Sequence, residues 1–112
     1  MTVSKPWGWY KDLERSPDLV VKKIYVKPFS KFSLQKHYHR EESWYIIKGI
    51  GKLTLDDKIY TVGPGDSYII KKEQIHRLEA YADGITFVEV QRGDCRENDI
   101  YRIEDDYGRE NS

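Results

Sequence analysis

Short runs rich in valine, isoleucine, tyrosine, phenylalanine and threonine recur along this chain at roughly the 8–12 residue spacing of sandwich and barrel proteins. They fall at 20–27, 32–39, 43–48, 52–55, 59–62, 67–71, 76–80 and 85–91. Turn-forming residues separate them: Gly49-Ile50-Gly51, Asp56-Asp57-Lys58, Gly63-Pro64-Gly65-Asp66 and Ala82-Asp83-Gly84. No stretch carries the three-and-four apolar spacing of a long helix, and a single helical turn is expected near 12–15. The chain therefore reads as all-β and as one domain over 1–112, with a core at 20–92 and the segments 1–19 and 93–112 packed on it.

Charge narrows what such a domain could bind. Lys and Arg number 19 against 19 Asp and Glu, giving a formal net charge of zero. With no basic run to track phosphates, neither a nucleic acid nor a membrane surface is an expected partner. The longest apolar runs, 44–47 and 68–70, are far too short to span a bilayer, and the first fifteen residues lack the apolar stretch of a secretory signal, so a cytoplasmic location is expected. Cys95 is the one cysteine, which excludes an internal disulfide.

All three histidines lie in strand-like segments, and two form the pair His37-x-His39. Residues two apart on a strand share a face, so Ser33, Gln35, His37 and His39 make one polar row opposite Phe32, Leu34 and Tyr38. A carboxylate follows at Glu41 or Glu42, and His76 arrives on a distant strand that an antiparallel fold can bring alongside. Three neutral imidazoles and one carboxylate suit a divalent transition metal. A His-x-His pair by itself is more often surface decoration than a ligand pair.

Context changes that balance. The spacing His37-x-His39-x-x-Glu42, then Gly49, then Gly65 and His76, resembles the two motifs of the cupin superfamily, which implies a double-stranded β-helix, or jelly-roll barrel, with metal ligands His37, His39, Glu42 and His76. The similarity goes further. KPWG at 5–8, LQKHYHR at 34–40, ESW at 42–44, YII at 68–70, HRLE at 76–79, VEVQRG at 88–93, ENDI at 97–100 and RIEDDYGR at 102–109 resemble the type II mannose-6-phosphate isomerase domain. That domain is usually the C-terminal part of a bifunctional enzyme that also carries mannose-1-phosphate guanylyltransferase activity. Four residues precede KPWG, so no guanylyltransferase activity is expected of this chain. The resemblance implies one bound divalent ion, zinc first, with manganese, cobalt, nickel or iron also accommodated. It also implies a homodimer acting on a sugar phosphate. The type I isomerases use a Gln-x-His pair, which leaves Gln35 with His37 as an alternative to His39.

Aldose–ketose isomerisation carries a proton between adjacent carbons through an enediol. Glu89, a carboxylate in the apolar run Ile85, Phe87, Val88 and Val90, is the candidate base. Arg102 is the candidate partner of the phosphate or of the transition state, and Arg40, Lys5, Arg109 and Gln35 are candidate substrate-binding residues. Trp44 is expected in the core. The departures from the family pattern are specific. Ser43 stands where His is typical, Phe29 where Gly follows Pro28, and Lys71 and Glu73 where the second motif has Pro and Gly; Ala80 replaces Asn, and Cys95-Arg96 replaces Tyr-Leu. Ser43 is thereby expected to cost a proton carrier. Two other functions fit the same residues: a non-catalytic sugar-binding cupin, and a non-haem-iron oxygenase.

Overall fold

The computed structural model describes residues 1–96 and 98–108. Its strands are β1 (Thr2–Lys5), β2 (Gly8–Ser16), β3 (Leu19–Val26), β4 (Leu34–Lys36), β5 (Arg40–Leu55), β6 (Lys58–Val62), β7 (Ser67–Ile70), β8 (His76–Gly93) and β9 (Tyr101–Glu104). All pair antiparallel in one sheet ordered β1-β2-β3-β8-β4-β9, and β5 joins β6, β7 and β8. The all-β expectation holds, and among the described residues no helix is long and apolar enough to cross a membrane.

Strands β5 and β8, of 16 and 18 residues, are too long to lie flat in a small domain, and their ladder shifts register at Ile46/Lys48 and Gly49/Gly51. Such bulges add bend and twist. A Cβ on Gly49 would sit 2.0 Å from the Gly84 carbonyl oxygen, and one on Gly51 would sit 2.3 Å from that of Glu79. Two of the expected turns, 49–51 and 82–84, are therefore corners inside continuous strands, facing each other where the two backbones approach most closely. The sheet curls there, and the ends of β8 come round to the same side of the molecule.

The expected helical turn near 12–15 is strand instead. β2 pairs with β3 along its whole length, with a bulge between Asp12 and Glu14. Pairing on an otherwise open β3 edge outweighs local preference.

Inside the curl, alternation sorts side chains. Val20, Lys22, Ile24 and Val26 of β3, Glu42, Trp44 and Ile46 of β5, and Ile85, Phe87, Glu89 and Gln91 of β8 are all buried. Ile46, Leu53, Val62, Ile70, Leu78, Ile85 and Phe87 fill one end. Trp7, Phe32 and Trp44, packed edge to face with centroids 5.8 and 6.0 Å apart, lie between that apolar end and a polar one. Trp44 is in the core, as expected, with its ring 4.6 Å from that of Phe87.

Candidate metal centre and adjoining pocket

At the polar end three segments converge. Glu42 projects inward from the start of β5, His76 from the start of β8, and His37 from the residues just after β4. One donor atom from each lies within 4.8 Å of the others, and all three residues are buried. His76 is 0% and Glu42 1% exposed. Pairing of Gln35 with His76 closes the curl and carries the His37 segment to the cluster.

Backbone carbonyls orient both rings. His37 donates from Nδ1 to the Asp99 carbonyl oxygen, and His76 donates from Nδ1 to that of Gln74 at 2.9 Å. In the neutral rings the lone pairs are therefore on Nε2, which is the atom aimed at the cluster. His37 Nε2 is 3.3 Å from Glu42 Oε2, and His76 Nε2 is 3.9 Å from Glu42 Oε1. Burial lowers the His37 pKa to about 3, helped by the Arg40 guanidinium and by His76, and burial lowers that of His76 to about 4. Both rings are neutral at pH 7, the form a metal needs. His76 Nε2 is fully buried and has no hydrogen-bond partner, an orphaned lone pair aimed at a carboxylate. Two imidazole nitrogens and a carboxylate oxygen, with tautomers fixed from behind, fit a divalent transition metal.

The structure places His39 elsewhere: it is exposed and outside the cluster. Strand geometry ends at Lys36. The amides of Tyr38 and His39 both donate to the Asp99 carboxylate, at 2.9 and 2.8 Å. Two successive N–H groups on one acceptor are incompatible with alternation, so the shared-face expectation for His37 and His39 fails at this bend. Gln35, one pleat before His37, lines the adjoining pocket. Glu42 is the inward carboxylate, whereas Glu41 pairs outside with Arg92 at 2.9 Å.

The pocket has a volume of about 140 Å³ and opens beside the cluster. Glu89 lies in its wall. The Trp44 indole N–H is shared between Glu42 Oε1 and Glu89 Oε2, both at 3.1 Å, and Gln91 donates to Glu89 Oε1 at 2.6 Å. Burial, reinforced by the neighbouring Glu42 charge, raises the Glu89 pKa to about 7. Cations share the lining: Lys5 at the end of β1, Lys22 on β3, paired across the ladder with Glu89, and Arg102, which is in register with Gln35 on β9. Arg40 also reaches the pocket, but its Nε is 2.9 Å from Glu42 Oε2. Arg109 lies outside the described residues.

Lys22 is a site residue that sequence reasoning missed. It is 6% exposed, and its ammonium is 4.1 Å from the centroid of the Tyr10 ring. The signal was available, because Lys22 interrupts the inward row Val20, Ile24, Val26. Ser43 needs the opposite correction. It shares the outer face with Tyr45 and accepts from Arg92 at 3.1 Å, so a histidine there would not face the cluster. Cys95 is buried, and burial pushes its thiol pKa up, away from nucleophilic chemistry.

Comparison with known proteins agrees with this architecture. Residues 1–105 match the family described as mannose-6-phosphate isomerase C-terminal. The alginate biosynthesis protein AlgA of Pseudomonas aeruginosa is 38% identical over 109 residues, and the mannose-1-phosphate guanylyltransferase of Escherichia coli K12 is 36% identical over the same length. Each match covers 96% of this chain and 23% of the relative, so the chain spans about a quarter of these proteins. Among solved structures, KdgF from Halomonas superposes with a TM-score of 0.78 at 15% identity, covering 88% of this chain and 91% of that one. An RmlC-like cupin from Shewanella frigidimarina gives 0.78 at 19%, covering 88% and 86%. The fold is the cupin double-stranded β-helix.

Proposed function

The chain belongs to the mannose-6-phosphate isomerase C-terminal family, and on that premise we propose that it is a metal-dependent aldose–ketose isomerase interconverting mannose 6-phosphate and fructose 6-phosphate. The observation that carries this reading is a His37, Glu42 and His76 donor cluster that reaches, through His37 and Glu42, a pocket whose wall holds a separate buried carboxyl, Glu89, with a pKa near neutrality. His37, Glu42 and His76 would hold the ion, with Gln35 as the further donor in place of the outward-facing His39. When bound, a divalent cation there supplies polarisation of the sugar carbonyl and offsets the charge that develops on its oxygen.

The chain's own residues do the rest. Glu89 takes the proton from the carbon next to the carbonyl; the C–H electron pair becomes the C=C bond of the enediol while the carbonyl π pair moves onto its oxygen, the neighbouring hydroxyl passes its proton to that oxygen as its own C=O forms, and Glu89 returns the first proton to the former carbonyl carbon. A pKa near 7 lets one carboxyl act as base and then as acid at little cost in either direction. Gln91 and Trp44 hold both Glu89 oxygens, which fixes the carboxyl for this transfer. Lys5, Lys22 and Arg102 form the wall suited to the phosphate, at the charge-bearing end of the substrate. The homodimer is part of the proposal, with Tyr45, Ile47 and Ile69, exposed on the outer faces of β5 and β7, as the surface to be covered.

The test is an isomerase assay on a panel of sugar phosphates with wild-type protein, Glu89→Gln and His37→Ala. We expect turnover of mannose 6-phosphate, a loss of at least about a hundredfold in kcat for Glu89→Gln, and loss of metal content as well as activity for His37→Ala. Sugar-phosphate binding without turnover under every metal supplied would identify a binding protein instead.

A further inference from the structure

Two of the cluster's donor atoms already face a cation, and that cation is part of the chain. Arg40 Nε donates to Glu42 Oε2 at 2.9 Å, and Arg40 Nη2 lies 3.3 Å from His37 Nε2. These are the carboxylate oxygen and the imidazole nitrogen that an ion held by His37 and Glu42 would take. We propose that Arg40 is a resident counter-ion of this site, and that metal loading is an exchange in which the guanidinium leaves Glu42 Oε2 and His37 Nε2 as the divalent ion arrives. The proposal rests on the metal reading above.

Electrostatics require some such partner. Glu42 is 1% exposed, and a carboxylate taken out of water without a cation is strongly unfavourable. Arg40, itself 8% exposed, supplies that cation. Once a divalent ion sits between the same donors, a guanidinium in contact with them meets a like charge at short range, and one lone pair cannot serve both.

Geometry gives the guanidinium somewhere to go. The Arg40 backbone is held in the β5–β8 ladder opposite Gly93, so the movement is one of side-chain rotamer alone. Arg40 Nη1 is already within 3.4 Å of the Arg96 carbonyl oxygen, and the side chain borders the pocket that Glu89 shares. Displaced into that pocket, Arg40 becomes an anion-facing group only in the loaded protein, which couples readiness for a phosphorylated or enediolate ligand to the presence of metal.

The experiment compares Co²⁺ affinity, read from the cobalt absorption bands, in wild-type protein and Arg40→Met, which keeps length and removes charge. Competition predicts at least tenfold tighter Co²⁺ binding by Arg40→Met, together with a lower melting temperature of the metal-free variant that Co²⁺ restores. Wild-type protein gives a second measurement free of any folding defect. The Arg40 Nε–H resonance, assigned by its absence in Arg40→Lys, should shift and exchange faster with solvent as Zn²⁺ is titrated to saturation. Equal or weaker Co²⁺ binding by Arg40→Met, or an Nε–H resonance that Zn²⁺ leaves in place, overturns the exchange while leaving the metal centre standing. Absence of binding by both proteins overturns the metal centre, and the exchange with it.

Discussion

His76 and His37 reach the same carboxylate by two different routes. His76 sits at the start of β8, inside a ladder that continues to Gly93, and its direction follows from strand alternation. His37 sits one residue past β4, where alternation has stopped, and Asp99, far along the chain, decides where it points: the Asp99 carbonyl oxygen accepts from the ring and its carboxylate accepts from the two following amides. The first histidine is placed by a repeating lattice and the second by a single residue. A site half built on each kind of support is accurate where the lattice carries it and dependent on one residue where it does not.

The lattice can be broken most sharply at its corner. Gly49→Ala puts a Cβ into the Gly84 carbonyl at a backbone φ of +90°, and nothing there is flexible enough to yield. We expect a loss of about 3 kcal/mol in urea unfolding, with both halves of the β5–β8 pair disturbed. The other support should give way more quietly. Asp99→Ala is expected to cost about 2 kcal/mol and to weaken metal binding, while backbone amide protection within β8 stays as in the wild type. Loss of protection along β8 would show that the two supports are not separate.

Titration sharpens the comparison. In metal-free protein, His37 and His76 have folded pKa values of about 3 and 4, below the ordinary 6.5, so their contribution is present above that value and is lost as the pH falls toward the folded ones. Glu89 runs the other way: its folded value of about 7 lies above the ordinary 4.5, so its contribution is complete below 4.5 and is lost as the pH rises through 7. Between 4.5 and 6.5 two groups oppose one. Urea midpoints measured in chelator should therefore climb to a maximum near pH 6.5 and then ease downward, and Glu89→Gln should remove the downward limb. A wild-type midpoint still rising well above neutrality would contradict this assignment.

The smallest effect concerns turns rather than the site. Phe29 and Glu73 adopt positive φ, 57° and 64°. They are also two positions where the family resemblance has glycine. Phe29→Gly and Glu73→Gly should each raise stability by roughly 0.5 kcal/mol, relief of the left-handed strain outweighing the added freedom of the unfolded chain. Calorimetric melting temperatures check this.

Legibility in the sequence followed the same division. Inward Glu42, Trp44, His76 and Glu89 could be read from alternation, because each lies in a continuous ladder. His39 could not, since the acceptor that bends the chain beneath it is Asp99, which no local pattern connects to it. The corners at Gly49 and Gly84 looked like turns because glycine marks both a reversal and a close approach of two backbones, and only the partner strand distinguishes them. Lys22 was visible in the pattern and was passed over, since a lysine in an apolar row reads as an exception to the face rather than as part of a pocket.

The indole N–H of Trp44, divided between Glu42 and Glu89, has a spectroscopic consequence. Excitation moves electron density away from the pyrrole ring, so negative charge at that nitrogen, from Glu42 and from Glu89 once the pH passes its pKa of about 7, favours the excited state and draws emission to longer wavelengths. Any event that neutralises either carboxylate, whether protonation or an arriving cation, moves the light of this one tryptophan toward the blue. The protein thus carries its own reporter of the charge held at its centre, with no label attached.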